Sequence, residues 1–270
     1  MNPYLKFVEQ IENSFAAARK LPPGEIKSLA RTSLPPEARK VLLFSPHPDD
    51  ECITGLLPLR LMREAGMRII NVPVTYGSSK ERQSGRAEEL KNACTFLEWE
   101  IYPRSGLCEL EKPDVVEILK TVRPAIVFFP HSNDWNSRHI ATHFLVMDAL
   151  AEMPDSFSCT VIETEFWGAM DDPNLMIEGD AQTVADLVAA TSFHVEEVKR
   201  NPYHLSLPAW MQDNVRRGGE LVGGQGGAAP DFTFAALYRM GKWEDGGFVQ
   251  CLGNGIMVPM GMELNEIFNH

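Results

Sequence analysis

The feature that most constrains this chain is a repeated alternation of short apolar runs with stretches of helical periodicity. Lys40-Val41-Leu42-Leu43-Phe44 reads as a buried strand, and a helix is expected from about Thr54 to Ala65. A second strand is expected over Met67–Thr75, with Pro73 marking an irregularity near its end. Glu81–Glu98 then carries Ala87, Leu90, Ala93, Cys94 and Leu97 at helical spacing. Helices over Val115–Val122, His139–Ala151 and Thr183–Lys199 alternate with strands over Pro124–Phe129 and Cys159–Glu165. Such a rhythm predicts βαβ units, and so an α/β protein of three layers: a mostly parallel, twisted sheet with helices on both faces. Ligands of such sheets bind beyond the carboxyl ends of the strands, which directs attention to the residues just after Phe44, Thr75, Phe129 and Glu165.

A chain of 270 residues can bury its core as a single domain. Residues 1–35 are expected as a helical extension, with an amphipathic surface helix over about 3–19 and a proline-rich connection after it. Residues from about 200 to 270 are expected as loops on the substrate side. They include the glycine-rich stretch Gly218–Gly227, read as a loop. The formal net charge of -12 excludes a general nucleic-acid binder, because a polyanion is repelled at long range. No apolar run approaches the roughly 20 residues of a spanning helix, so no membrane insertion is expected. The N-terminus lacks the pattern of a signal peptide, and the five scattered cysteines fit a reducing compartment. A cytoplasmic protein is expected, and a homo-oligomer is compatible with all of this.

Chemistry concentrates where the strands end. After the first strand stands Ser45-Pro46-His47-Pro48-Asp49-Asp50-Glu51, an imidazole and two adjacent carboxylates on a proline-stiffened turn. Zinc takes imidazole nitrogen and carboxylate oxygen readily, and His47 and Asp50 can face one centre while Asp49 points elsewhere. A catalytic site needs a third ligand, expected from another strand end. Pro130–His143 follows the strand ending at Phe129 and holds three histidines, His131, His139 and His143. The plain alternatives are a helix-capping aspartate and structural histidines. The coincidence of both clusters with strand ends favours a metal site.

Three segments resemble the PIG-L/LmbE-like N-deacetylases, zinc-dependent enzymes acting on N-acetylglucosaminyl compounds. They are VLLFSPHPDDE, then Thr75-Tyr76-Gly77 with Arg86-Ala87-Glu88-Glu89-Leu90, and Asn136-Ser137-Arg138-His139 in place of the family's H-x-D-H. The resemblance implies a Rossmann-like fold and one Zn2+ per chain held by His47, Asp50 and His139, with Asp49 as general base. The ligand set also suits Fe2+. It further implies hydrolysis of an N-acyl, expected N-acetyl, amide on an amino-sugar-type small molecule. Asn136 departs from the family's histidine: it can donate to an oxyanion but cannot deliver a proton. The proton is then expected from His131, His194 or His204, or from Asp49 acting in both directions.

Further substrate contacts are expected from Arg86, from Trp167 stacking on a sugar ring, from His194 and His204, and from Arg216 beside Arg217 as an anion clamp. Two other functions compete with the deacetylase. One is an amidase on another acyl conjugate. The other is a metal-bearing carbohydrate-binding protein with weakened catalysis, which Asn136 motivates and the intact Asp49 opposes.

Overall fold

The computed structural model describes residues 2–27 and 34–268; residues 28–33 of the expected N-terminal extension lie outside the described residues. Helix α1 (Leu5–Ala18) buries none of its residues, so its amphipathic character leaves Tyr4, Leu5, Phe7, Val8 and Ile11 exposed. Then the expected alternation begins. Strand β1 (Lys40–Ser45) leads into a short helix α2 (Asp50–Ile53) and then α3 (Leu56–Ala65). Strand β2 (Arg68–Pro73), α4 (Lys80–Leu97) and the two-residue β3 (Glu100–Ile101) follow. Next come α5 (Lys112–Val122), β4 (Ile126–Pro130), α6 (Ser137–Leu150) and β5 (Cys159–Thr164).

The later half adds β6 (Leu175–Gly179), α7 (Ala181–Ser192), α8 (Val195–Arg200), a 3-10 turn over Tyr203–Ser206 and α9 (Leu207–Leu221). It closes with β7 (Phe234–Glu244), β8 (Gly247–Gln250), β9 (Ile256–Val258) and α10 (Leu264–Phe268). One sheet runs in the order β3-β2-β1-β4-β5-β7-β6-β9, with β8 paired to β7. The first five are parallel, whereas β7 lies antiparallel between β5 and β6. Neighbouring side chains of β1 point to opposite faces. Val41 and Leu43 join the core made with α3, α4 and α7, whereas Leu42 and Phe44 join the core made with α5 and α6. Both faces of the sheet are covered, as the alternation requires. No described helix is long and apolar enough to cross a membrane.

Three expectations need correction. The described residues from 200 to 268 are not mainly loops: β7–β9 complete the sheet and α9 packs on β7. The stretch Gly218–Gly227 is helical as far as Leu221, where α9 ends, and is the expected loop only from Val222 onward. Its glycine is a packing contact, since a Cβ at Gly218 would stand 2.1 Å from Met176 Cε and 2.7 Å from Leu237 Cδ2. The helix expected over Thr183–Lys199 breaks at Phe193-His194, where His194 N-caps α8 and turns its ring onto Glu51, 2.8 Å away. The buried contact with Glu51 lies at the break itself.

The break between α2 and α3 is fixed from across the sheet. At Gly55 a Cβ would lie 2.7 Å from Glu51 O and 2.8 Å from Trp99 Cη2, so the chain turns where only glycine fits. Tyr238, buried on β7, donates its hydroxyl to Thr54 O at 2.9 Å and accepts the Leu57 N–H at 3.1 Å. A late antiparallel strand thus anchors the helix pair that follows β1. Tyr238→Phe leaves a buried N–H and a partly buried carbonyl without that partner, and should lower unfolding free energy by about 1–3 kcal/mol in urea titration.

Candidate active site

β1 ends at Ser45, and the turn Pro46-His47-Pro48 delivers Asp49 and Asp50 to the start of α2. Asp50 Oδ2 accepts the His47 backbone N–H at 2.9 Å and lies 3.3 Å from His47 Nδ1. Beside β1, β4 ends at Pro130, and the chain enters α6 through Asn136, whose side-chain oxygen accepts the Arg138 N–H at 2.9 Å. That cap sets His139 in the first turn, with Nε2 3.3 Å from the same Asp50 Oδ2. One ligand atom from each of His47, Asp50 and His139 thus falls within 4.8 Å of the others.

The far side of His139 is also held. Asp134 Oδ2 lies 3.2 Å from His139 Nδ1, and Asp134 Oδ1 accepts the Asn136 N–H at 2.8 Å. A proton kept on Nδ1 by Asp134 leaves the Nε2 lone pair facing Asp50 and His47, the usual device for orienting a metal-binding imidazole. His139 Nε2 is buried and makes no hydrogen bond. A divalent cation at the common point would supply the missing partner. Two imidazoles and a carboxylate fit zinc, and the same donors fit ferrous iron.

The two aspartates behave oppositely. Burial opposes charge on Asp50, but His139 and His47 outweigh it and hold this carboxyl well below the usual carboxylate range. Burial, with Asp50 next to it, pushes Asp49 up to about 7. Without a cation, burial works against a charged His139, yet Asp50 and Asp134 push it up to about 10, so a cation would have to displace the Nε2 proton. Asp49 sits at φ 125°, a backbone conformation that costs a non-glycine residue on the order of 1–3 kcal/mol. Its N–H donates to Glu51 Oε2 at 2.9 Å, and its carbonyl accepts from Cys52 at 3.1 Å and Ile53 at 3.2 Å.

A cleft of about 380 Å³ opens over this cluster, and His47, Asp49, Asp50, Arg86, Asn136 and Trp167 are among its walls. Arg86 donates to Pro48 O at 3.0 Å and so steadies the turn before Asp49. Trp167, on the loop after β5, approaches Asp50 Oδ1 with its indole Nε1 at 3.4 Å. The other expected contacts lie elsewhere. Arg216 is exposed on α9 and paired with Asp213 at 2.7 Å, whereas Arg217 turns inward to Glu165 at 2.6 Å. An anion clamp at Arg216 therefore does not form at this cleft: the helix turns the two arginines in different directions. His204 lines a separate apolar cavity beside α7, where burial lowers its pKa.

Nor do the expected proton donors line the cleft. His194 is fully buried on Glu51. His131 is spent on the loop after β5, with Nε2 3.0 Å from Gly168 O and Nδ1 accepting the Asn133 N–H at 3.3 Å. His143 faces Pro130 O at 3.1 Å and Glu163 at 3.2 Å. Three contributors to the site escaped the sequence reading. Asp134 was visible as an acid five residues before His139, and Glu51 as the last letter of HPDDE. Tyr203 carried no local signal: its hydroxyl donates to Asp49 Oδ2 across more than 150 residues.

This arrangement agrees with what the chain resembles. Residues 42–150 match the family model described as PIG-L: GlcNAc-PI de-N-acetylase. No curated protein matches the chain. Among solved structures, N,N'-diacetylchitobiose deacetylase from Pyrococcus horikoshii is 18% identical, with a TM-score of 0.53 over 76% of this chain and 84% of that one. The zinc-inhibited form of teicoplanin deacetylase is 14% identical, with a TM-score of 0.52 over 74% and 97% of the two chains. The 4-carboxy-2-hydroxymuconate hydratase GalB from Pseudomonas putida KT2440 is 14% identical, with a TM-score of 0.56 over 75% and 95%. These likenesses concern the fold.

If Asp134 orients His139, Asp134→Ala should weaken divalent-metal binding by about tenfold to a hundredfold while the fold persists. Competition with a chromophoric chelator, beside a circular dichroism spectrum, measures both. Unchanged metal affinity would mean that the 3.2 Å contact with His139 is incidental.

Proposed function

We propose that the chain hydrolyses an N-acyl amide, N-acetyl in the simplest case, on an amino-sugar-type small molecule, with a divalent cation held by His47, Asp50 and His139. The observation that carries this reading is the meeting of three donor atoms within 4.8 Å, one of them a buried imidazole nitrogen with no hydrogen bond, beside a fourth group, Asp49, that faces the cleft. When bound, zinc or a similar cation supplies Lewis-acid polarisation of a carbonyl and makes water more acidic.

The chain's own residues supply the rest. Asp49 accepts a proton from the attacking water, a role suited to a carboxylate pushed up to about 7. Asp50 stays ionised and faces the two imidazoles, so the neighbouring carboxylates divide the work of base and ligand. Asn136 lines the cleft and can turn an amide N–H toward an oxyanion while its oxygen caps α6. With His131, His194 and His204 absent from the cleft walls, Asp49 returns the proton to the leaving amine. Trp167 gives a flat apolar wall for a sugar ring, and Arg86 gives hydrogen-bond donors beside it.

A second reaction deserves a direct comparison because GalB, of similar fold, is a hydratase. Water addition to an activated alkene can also use a base to activate water but releases no amine. Incubating the chain with N-acetylglucosamine, N,N'-diacetylchitobiose and N-acetylglucosamine 1-phosphate, each with Zn2+, Fe2+ or Co2+, tests the amide reading through free amine and acetate. Release of both in equal amounts is expected. No amine from any amide probe, with loss of absorbance from an unsaturated carboxylate, would favour the hydratase.

Two substitutions separate ligand from base. His139→Ala should lose most bound metal and activity together, read by elemental analysis and amine release. Asp49→Asn should retain its metal and lose on the order of a hundredfold or more in kcat. Metal loss in Asp49→Asn with retention in Asp50→Asn would reverse the two assignments.

A further inference from the structure

Tyr203 belongs to neither the matched region nor the expected site, yet it touches Asp49. The tyrosine opens the 3-10 turn that follows α8, and only 6% of it is exposed. Its hydroxyl donates to Asp49 Oδ2. The ring is fixed by its edge-to-face packing on Trp167, with centroids 5.4 Å apart and planes at 74°. Trp167 in turn aims its indole Nε1 at Asp50 Oδ1, 3.4 Å away. One aromatic pair therefore reaches both members of the aspartate pair, the phenol on one and the indole on the other.

We infer that Tyr203 is a positioning residue, whose hydroxyl occupies one oxygen of the Asp49 carboxylate and turns the other toward the cleft. The inference rests on the reading of Asp49 as general base. An ionised carboxylate can only accept hydrogen bonds. With Oδ2 engaged by the phenol, Oδ1 is the oxygen left to take a proton from water. Two restraints act on the same residue. Glu51, itself held by His194 at 2.8 Å, receives the Asp49 N–H and fixes the backbone, while Tyr203 fixes the side chain. Without the phenol, Asp49 would be free to rotate about its χ angles, and a base rotated out of line with its water loses rate without losing substrate. Both restraints come from residues 194–203, which makes this segment part of the machinery and not merely its cover.

The test is Tyr203→Phe, which keeps the ring and its packing on Trp167 and removes one hydroxyl. With Zn2+-loaded enzyme and N,N'-diacetylchitobiose as probe, kcat should fall by about tenfold, within the range a misaligned general base can lose. KM and metal per chain should stay as in the wild type. In an Asp49→Ala background the same substitution should change residual amine release by less than about twofold, because a residue acting through Asp49 has nothing left to act on. Urea unfolding of the four full-length chains in EDTA supplies a readout apart from activity. The two substitutions should be non-additive by about tenfold in the unfolding equilibrium constant, since the hydroxyl and the carboxylate are bonded. The inference is overturned by wild-type kcat in Tyr203→Phe, by the same tenfold loss without Asp49, by loss of metal, or by additive unfolding. A wild-type chain silent on every amide probe would sink the deacetylase reading instead. The unfolding cycle would then decide alone whether Tyr203 holds Asp49.

Discussion

Two carboxylates adjacent in sequence must do different things within a few ångströms of each other, and the backbone between them is where the structure concentrates its constraint. Asp49 adopts φ 125° so that its side chain diverges from that of Asp50, which starts α2 and turns to the imidazoles. A conformation so disfavoured for a non-glycine residue persists only when the surroundings fix it. Here they do so on every side. Glu51 takes the backbone N–H, α2 takes the carbonyl, Tyr203 takes a carboxylate oxygen, and Arg86 holds Pro48 just before. The first two restrain its backbone, Tyr203 restrains its side chain, and Arg86 steadies the turn that precedes it.

The same logic governs the charges deeper in. A protein with formal net charge -12 buries several acids around this sheet edge, and each has a cationic or donor partner. Glu51 meets His194, Glu163 meets Arg239 and His143, and Glu165 meets Arg217. An unpaired buried carboxylate costs several kcal/mol, on the order of the whole stability margin of a domain. The partners are therefore required for folding, yet they also set positions. Arg217 binds Glu165 at 2.6 Å and Met170 O at 3.1 Å, and so fastens the loop after β5 that carries Trp167. Asp50 remains ionised because its neighbours are imidazoles, and Asp49 rises because it is buried and stands beside the charge of Asp50. Sequence adjacency alone could not assign these two roles.

What the sequence made legible follows from range. Apolar runs name parallel strands because burial on both faces is written locally, and β1, β2, β4 and β5 fall within a few residues of their expected places. HPDD and Asn136–His139 are short motifs at strand ends, so the spacing that brings them together comes from the fold class. Contacts made across the chain are another matter. Tyr203 and Asp49 are joined over 154 residues and His194 and Glu51 over 143, and nothing in the local pattern of either partner announces the other. The sequence offers His194 as a proton donor because it is ionisable near neutrality and its predicted helix could carry it back over the sheet's carboxyl edge, whereas its burial against Glu51 makes it a fastening. The late strands were missed for a different reason. β7 runs antiparallel between two other strands, and its alternation is blurred by burial on both sides.

The division of labour along the chain bears on how one fold supports different reactions. His47, Asp49, Asp50 and His139 all fall within residues 42–150, the region that matches the PIG-L model. Trp167, Tyr203 and the His194 fastening come later, from the loop after β5 and the interrupted helix beyond it. The carboxyl edge of a parallel sheet fixes the first set, because strands in register place their ends side by side. The second set rests on loops and broken helices, which tolerate change far better than strands do. A hydratase and a deacetylase can then share the sheet and differ in the walls. In this chain the walls are not passive. The segment that shapes the cleft also reaches under it to hold Asp49, so a change made there to admit another substrate also alters how firmly that carboxylate is aimed.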